Sequence, residues 1–167
     1  MERVQIAVSQ RAAGMTQNPH HYVLDANILF SAVLRGKAFY EQLFSTCRFY
    51  LPDFGLLELE KYRSTILQKT SLDFAVLQSF TLALFRQIVV VPRFTLSDKT
   101  ITDAFLLCKG ADERDTMYVA CAIELGIPFV TRDKPIYEHL SKQGFRNVIL
   151  FHDLCDQILP PPPTAVL

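Results

Sequence analysis

Asp25 closes an apolar run, His21-Tyr22-Val23-Leu24-Asp25-Ala26-Asn27-Ile28-Leu29-Phe30, where a buried strand would hand over to a helix. A carboxylate at the carboxyl end of a central strand in an open α/β sheet points into the crevice where such folds bind ligands. Glu58, Asp115 and Asp133 stand at later junctions of similar kind. Four acids brought together from distant parts of one chain repel one another unless a cation neutralises them, so their convergence points to a divalent metal. All-oxygen clusters suit Mg²⁺ or Mn²⁺, and one or two such ions can activate water and stabilise the leaving oxygen in phosphodiester hydrolysis.

Each acid also has an ordinary structural explanation. Asp25 can cap the helix that follows it or pair with an Arg. Glu58 lies one and a half turns into a helix after the second strand, within Leu51-Pro52-Asp53-Phe54-Gly55-Leu56-Leu57-Glu58-Leu59-Glu60. Glu60 is two residues on, about 200° around the helix, so only one of the two can face the site; Asp53 replaces them if the register shifts. Asp112 and Asp115 bracket the start of an apolar helix, where an acid is favoured by the helix dipole alone. That explanation suits Asp112 best, while Asp115 shares a face with Val119 and Ala122. Asp133 follows Phe129-Val130-Thr131 as Asp25 follows Val23-Leu24, and it too can be a cap. What distinguishes these four from four unrelated caps is that all can lie at one edge of a single parallel sheet.

The elements that must position them read as follows. A strand over residues 22–24 precedes a helix capped by Asn27, which runs through Leu34 and ends at Gly36. A short helix within 37–47 and a brief strand over 49–51 lead to one helix over about 53–69, with Phe54 and Leu57 facing inward. A further helix over about 72–87 carries the stripe Phe74, Leu77, Phe80, Leu84 and Phe85. Ile88-Val89-Val90-Val91 before Pro92 is a continuous apolar run, as in a strand covered on both faces. A helix over about 98–109 ends at Gly110, and the next runs from near Arg114 to Gly126, apolar nearly all round and so buried. A strand over 127–130, a helix ending at Gly144, a strand over 147–150 and a last short helix holding Leu154 and Ile158 complete the domain. This alternation predicts a three-layer α/β/α sandwich with a central, mostly parallel five-stranded sheet. The domain spans residues 21–159, between an N-terminal arm over 1–20 and a Pro-rich tail over 160–167 that favours an extended polyproline conformation.

Composition narrows the chemistry further. The chain has 167 residues, half of them hydrophobic and a fifth charged, which suits one globular domain and not a disordered chain. Seventeen basic residues balance seventeen acidic ones, so no global field attracts a polyanion and any nucleic-acid contact relies on local patches. No apolar stretch reaches the ~18 residues of a membrane span, no signal peptide is evident, and the cytoplasm is the expected location. Cys47, Cys108, Cys121 and Cys155 form no C-x-x-C pair, and the four histidines lack ligand spacing. Buried free thiols are expected, and the chemistry falls to the carboxylates.

Four motifs in order give the chain a family likeness: Val23-Leu24-Asp25-Ala26-Asn27, then residues 52–58, then Asp115-Thr116-Met117-Tyr118-Val119-Ala120-Cys121-Ala122, and finally Val130-Thr131-Arg132-Asp133. Over residues 22–159 the chain resembles a PIN domain, the ribonuclease fold of many bacterial toxin-antitoxin systems and RNA-processing factors. The resemblance implies a metal-dependent endonuclease acting on RNA, with Asp25, Glu58, Asp115 and Asp133 as catalytic acids and Asp25, Asp115 and Asp133 holding Mg²⁺ or Mn²⁺. Asn27 and Thr131 would orient the acids or a water on the metal. Water would attack phosphorus, leaving a 3′-hydroxyl and a 5′-phosphate. Among Arg35, Lys37, Arg114, Arg132 and Lys134, which lie near the acidic junctions in sequence, Arg132 is the best candidate to hold substrate phosphate. A toxin role implies a small antitoxin protein as partner and, commonly, a homodimer.

Two rival functions remain. A haloacid-dehalogenase-like phosphatase also places an Asp after its first strand, but it needs an acid two residues later as proton donor, and the amide of Asn27 cannot supply that proton. A PIN-like module that binds RNA or protein without cleavage would be favoured by loss of one acid, and all four are present.

Overall fold

Five short runs rich in β-branched and aromatic residues form one sheet: β1 (His20–Leu24), β2 (Cys47–Pro52), β3 (Ile88–Val91), β4 (Phe129–Thr131) and β5 (Val148–Leu150). The computed structural model describes residues 20–159. The arm expected over 1–20, apart from His20, and the tail expected over 160–167 lie outside the described residues. The strand order is β3-β2-β1-β4-β5 and every pairing is parallel, so the sheet is wholly rather than mostly parallel.

The chain lays β1, β2 and β3 outward in one direction, then returns to place β4 on the other side of β1. That reversal makes the carboxyl ends of β1 and β4 a topological switch point, where the connections diverge and leave a crevice. Register locks the two ends together: Val23 is opposite Phe129 and Leu24 opposite Val130, and the Asp25 N–H donates to the Val130 carbonyl at 3.1 Å. Asp25 and Asp133, the residues just beyond β1 and β4, are thus neighbours because of topology.

Nine helices accompany the strands among the described residues: α1 (Ala26–Arg35), α2 (Ala38–Thr46), α3 (Asp53–Lys61), α4 (Arg63–Lys69), α5 (Phe74–Phe85), α6 (Asp98–Cys108), α7 (Thr116–Leu125), α8 (Lys134–Lys142) and α9 (Phe151–Ile158). The expected α/β sandwich is observed, with α7 against β1, β2 and β4, and α2 on β2 beside α5 and α9. Tyr118, Val119, Ala120, Cys121 and Ala122 of α7 are buried, as the apolar character of that helix required. Its burial, with Leu24, Leu29, Phe49 and Phe129, gives the core a large apolar payload at about 1.5–3 kcal/mol per large side chain. Cys47, Cys108 and Cys121 are buried free thiols, and Cys155 is half-buried.

Local readings need correction in four places. Asp25, not Asn27, caps α1: its backbone is extended and its carboxylate accepts from the Asn27 N–H. The single helix expected over 53–69 breaks at Tyr62, whose ring packs on Phe30 with centroids 4.9 Å apart, so that α3 and α4 each meet α1 along a separate axis. Leu57 points outward, 64% exposed, because Gly55 is the residue α3 buries. On α5, Leu77, Phe80 and Leu84 are buried as expected, but Phe74 sits 70% exposed in the first turn after the Asp73 cap, beyond reach of the core.

Two glycines are required by close approach. Gly36 ends α1 in the left-handed region at φ 55°, and a Cβ there would lie 2.2 Å from Leu72 Cδ1. Gly55 lets Leu51 and the Tyr118 hydroxyl pass against α3: an added Cβ would stand 2.6 Å from Leu51 Cδ1 and 3.1 Å from the Tyr118 oxygen.

Candidate active site

Asp25 is 4% exposed, and both of its oxygens are engaged. Oδ1 accepts from the Asn27 N–H at 2.9 Å, and Oδ2 accepts from the Thr131 hydroxyl at 2.9 Å. The same Thr131 oxygen accepts the Asp133 N–H at 3.0 Å, while Asp133 Oδ1 accepts the Ile136 N–H at 3.1 Å and caps α8. A chain of hydrogen bonds therefore runs Asp25–Thr131–Asp133 across the ends of β1 and β4. Thr131 is fully buried and its hydroxyl links the two acids, whereas Asn27 is exposed and takes part through its backbone.

Glu58 comes from the second turn of α3 and accepts a hydrogen bond from the Tyr118 hydroxyl of α7. Gly55 and Glu58 share a helix face at i, i+3. The missing Cβ of the first therefore admits the hydroxyl that holds the second. Glu60 is exposed and absent from the recess, and Asp53 is spent on the Phe54 N–H and on the Arg93 N–H at 3.0 Å.

Asp115 ends a short 3-10 turn, residues Glu113–Asp115, that feeds α7; the α-helix itself starts at Thr116, two residues later than expected. Asp112 begins that turn and accepts from the Arg114 N–H at 3.0 Å. It also binds the Arg114 guanidinium, with Nη2 2.6 Å from Oδ2, and this holds the Asp112 carboxyl below its usual range.

These side chains meet in a polar recess of about 100 Å³, lined by Asp25, Asn27, Glu58, Tyr62, Asp112, Arg114, Asp115 and Asp133. All four acids singled out from the sequence are present. Arg132 is elsewhere: its Nη2 donates to the Tyr40 hydroxyl at 2.8 Å and its guanidinium lies 4.4 Å over the Phe151 ring. The contributions that sequence reading missed are Tyr118 as partner of Glu58, Tyr62 on the wall, and the pairing of Asp112 with Arg114 on the rim.

The electrostatics follow from crowding. Burial pushes the Asp115 carboxyl up to about 7, reinforced by the charges of Asp25, Asp112, Asp133 and Glu58. Asp25 is raised as well, first by burial and then by Glu58 and Asp133, against the lowering effect of its bonds from Asn27 and Thr131. Five carboxylates and one guanidinium share the recess, an excess of negative charge that a divalent cation would relieve. The donors are all hard carboxylate oxygens, which fit Mg²⁺ or Mn²⁺. Among the described residues, no three His, Cys, Asp or Glu side chains are drawn close enough to hold an ion between them already.

An all-parallel sheet with a buried acid at its switch point and further acids around the same crevice defines an α/β domain of the open-sheet, crevice-binding class. A family model described as the PIN domain matches residues 23–148, and the chain belongs to that family, whose members are generally nucleases. Among solved structures, the chain is similar to PAE2754 from Pyrobaculum aerophilum, at 15% identity and a TM-score of 0.58, over 83% of this chain and 95% of that one. It is also similar to a PilT N-terminus domain protein, SSO1118, from Sulfolobus solfataricus P2, at 14% identity and a TM-score of 0.45, over 85% and 96% of the two chains. No curated protein matches. Among the described residues no helix is long and apolar enough to cross a membrane.

Proposed function

We propose that this PIN-domain protein is a divalent-metal-dependent endoribonuclease and the toxin of a toxin-antitoxin pair. The observation that carries the nuclease reading is the meeting of Asp25, Glu58, Asp115 and Asp133 in one recess at the switch point of the sheet. Asp25, Asp115 and Asp133 would hold Mg²⁺ or Mn²⁺, which when bound supplies Lewis acidity at the phosphoryl oxygen and a more acidic water.

The chain's own residues account for the rest. The paired hydrogen bonds from Asn27 and Thr131 leave Asp25 one orientation, so its remaining lone pairs face the recess without rotamer loss. The Tyr118 hydroxyl restrains Glu58 through one oxygen. Asp115, the acid raised to about 7, exchanges its proton near neutrality, so cation affinity rises with pH as that proton is lost. Water attacks phosphorus in line, the 3′-oxygen leaves as a hydroxyl and the phosphate stays on the 5′ side.

The test is RNA cleavage by purified protein with Mg²⁺ or Mn²⁺, against a preparation carrying Asp25→Asn and Asp115→Asn together. Cleavage that survives in the double variant sinks the assignment, because a contaminating nuclease would give that result. The toxin role rests on the family resemblance. Expression of the wild-type chain alone slows growth and expression of the double variant does not; harmless wild-type expression refutes that role.

A further inference from the structure

An RNA strand entering this recess meets five carboxylates and one cation. Arg114 is the only Lys or Arg among the described residues that line it. Of the other basic residues near the acidic junction of β4, Lys134 does not line the recess, and Arg132 is stacked on Phe151 and bonded to Tyr40. Resting on the nuclease reading above, we propose that Arg114, positioned by Asp112, is the phosphate-binding residue that brings the RNA backbone over the acids.

The local geometry is built for this. Asp112 Oδ1 accepts both the backbone N–H of Arg114 and its Nε–H, each at 3.0 Å, so the start and the end of the side chain are tied to one atom. Asp112 Oδ2 accepts from Nη2 at 2.6 Å. The pair uses one edge of the guanidinium and leaves the Nη1 side, which presents the forked donors that match a phosphate. Holding an Arg in advance removes part of the ordering cost that a long side chain otherwise exacts on binding.

Stability alone is a poor explanation of the pair. The Arg114 side chain is 81% exposed, and solvated ion pairs add little to folding. Its place on the rim decides the matter, because phosphate attraction beside five acids has to come from a charge within reach of the recess.

The experiment measures binding of a fluorescein-labelled, mixed-sequence single-stranded RNA by anisotropy across a NaCl series at fixed Mg²⁺, in the cleavage-silent Asp25→Asn background. Adding Arg114→Ala lowers the slope of log affinity against log salt by about 0.7, the value for one lost phosphate contact on a single strand. Adding Asp112→Asn keeps the Arg charge and the slope but weakens binding several-fold, because the guanidinium is released. Arg146→Ala, before β5 at the opposite end of the sheet, changes neither. In the cleavage-competent chain Arg114→Ala raises KM about tenfold with kcat little altered, as expected when ground-state and transition-state binding fall together. If wild-type protein cuts RNA and Arg114→Ala matches it in slope and KM, the Arg114 proposal fails and the nuclease reading stands. If the wild type neither binds nor cuts RNA, both fall.

Discussion

Replacing Asp115 with Asn should stabilise the ion-free protein, and by an amount that depends on pH. The carboxyl is raised from 3.8 to about 7 in the folded chain, so folded protein binds more protons than unfolded protein between those values. Stability therefore falls as pH rises through that window, and the full penalty applies above about 7. At 1.36 kcal/mol per pKa unit the shift corresponds to about 4 kcal/mol, which screening by the open recess reduces to about 2 kcal/mol. Asn keeps the shape and loses the charge, and Asp115 makes no side-chain capping bond that the exchange would break. In urea denaturation with EDTA, the advantage of Asp115→Asn over wild type should grow by roughly 1–2 kcal/mol between about pH 5 and about pH 8. Adding Mg²⁺ then favours the wild type, since binding to the folded state raises stability in proportion to the logarithm of cation concentration over Kd. An advantage that stays flat with pH, or a variant less stable than wild type at the alkaline end, refutes the charge-crowding explanation.

Three further substitutions separate support from chemistry. Thr131→Val removes the hydroxyl shared by Asp25 and the Asp133 N–H; unfolding should show a loss of about 1–3 kcal/mol, and the Asp25 carboxyl, lacking that donor, should titrate higher by NMR. Gly55→Ala gains helix propensity of about 1 kcal/mol but drives a Cβ into Leu51 and toward the Tyr118 oxygen, a clash of about 1–3 kcal/mol, so it should lower kcat and destabilise by up to about 2 kcal/mol net. An unchanged melting curve and unchanged kcat would show that Gly55 does not gate Tyr118. Arg132→Ala loses its bond to Tyr40 and its stacking on Phe151, so it should cost about 1 kcal/mol in stability and leave the salt dependence of RNA binding untouched. A reduced salt slope would return Arg132 to the substrate-binding surface.

Asp25 and Asp133 were readable because their signal is local: a short apolar run, then an acid one or two positions past the end of the strand. Helix geometry allowed only one of Glu58 and Glu60 to face the site, and it is the fold that puts Glu58 in the recess. Tyr118 as partner of Glu58 was hidden, since the contact joins residues 60 apart and depends on a glycine whose role only packing reveals. The break at Tyr62 and the outward Phe74 and Leu57 were hidden for a related reason. In helices with apolar residues on more than one face, periodicity does not say which face the sheet will cover.

Capping a helix and facing the recess had seemed alternatives for Asp25 and Asp133, and each does both. A carboxylate has four lone-pair sites, and a cap consumes one while fixing the direction of the others. Each acid accepts from the first turn of its helix, where the dipole favours negative charge, and is thereby aimed at the crevice with no rotamer to search. The two roles can be separated by the choice of substitution. Asn retains an oxygen that can cap and removes the charge, so Asp25→Asn and Asp133→Asn report on the site with the helices intact. Ala removes both, and the extra instability of the Ala over the Asn variant measures the cap, about 1 kcal/mol at each helix. Equal stability of the Ala and Asn variants would mean that the aiming of these acids comes from Thr131 and the sheet edge instead.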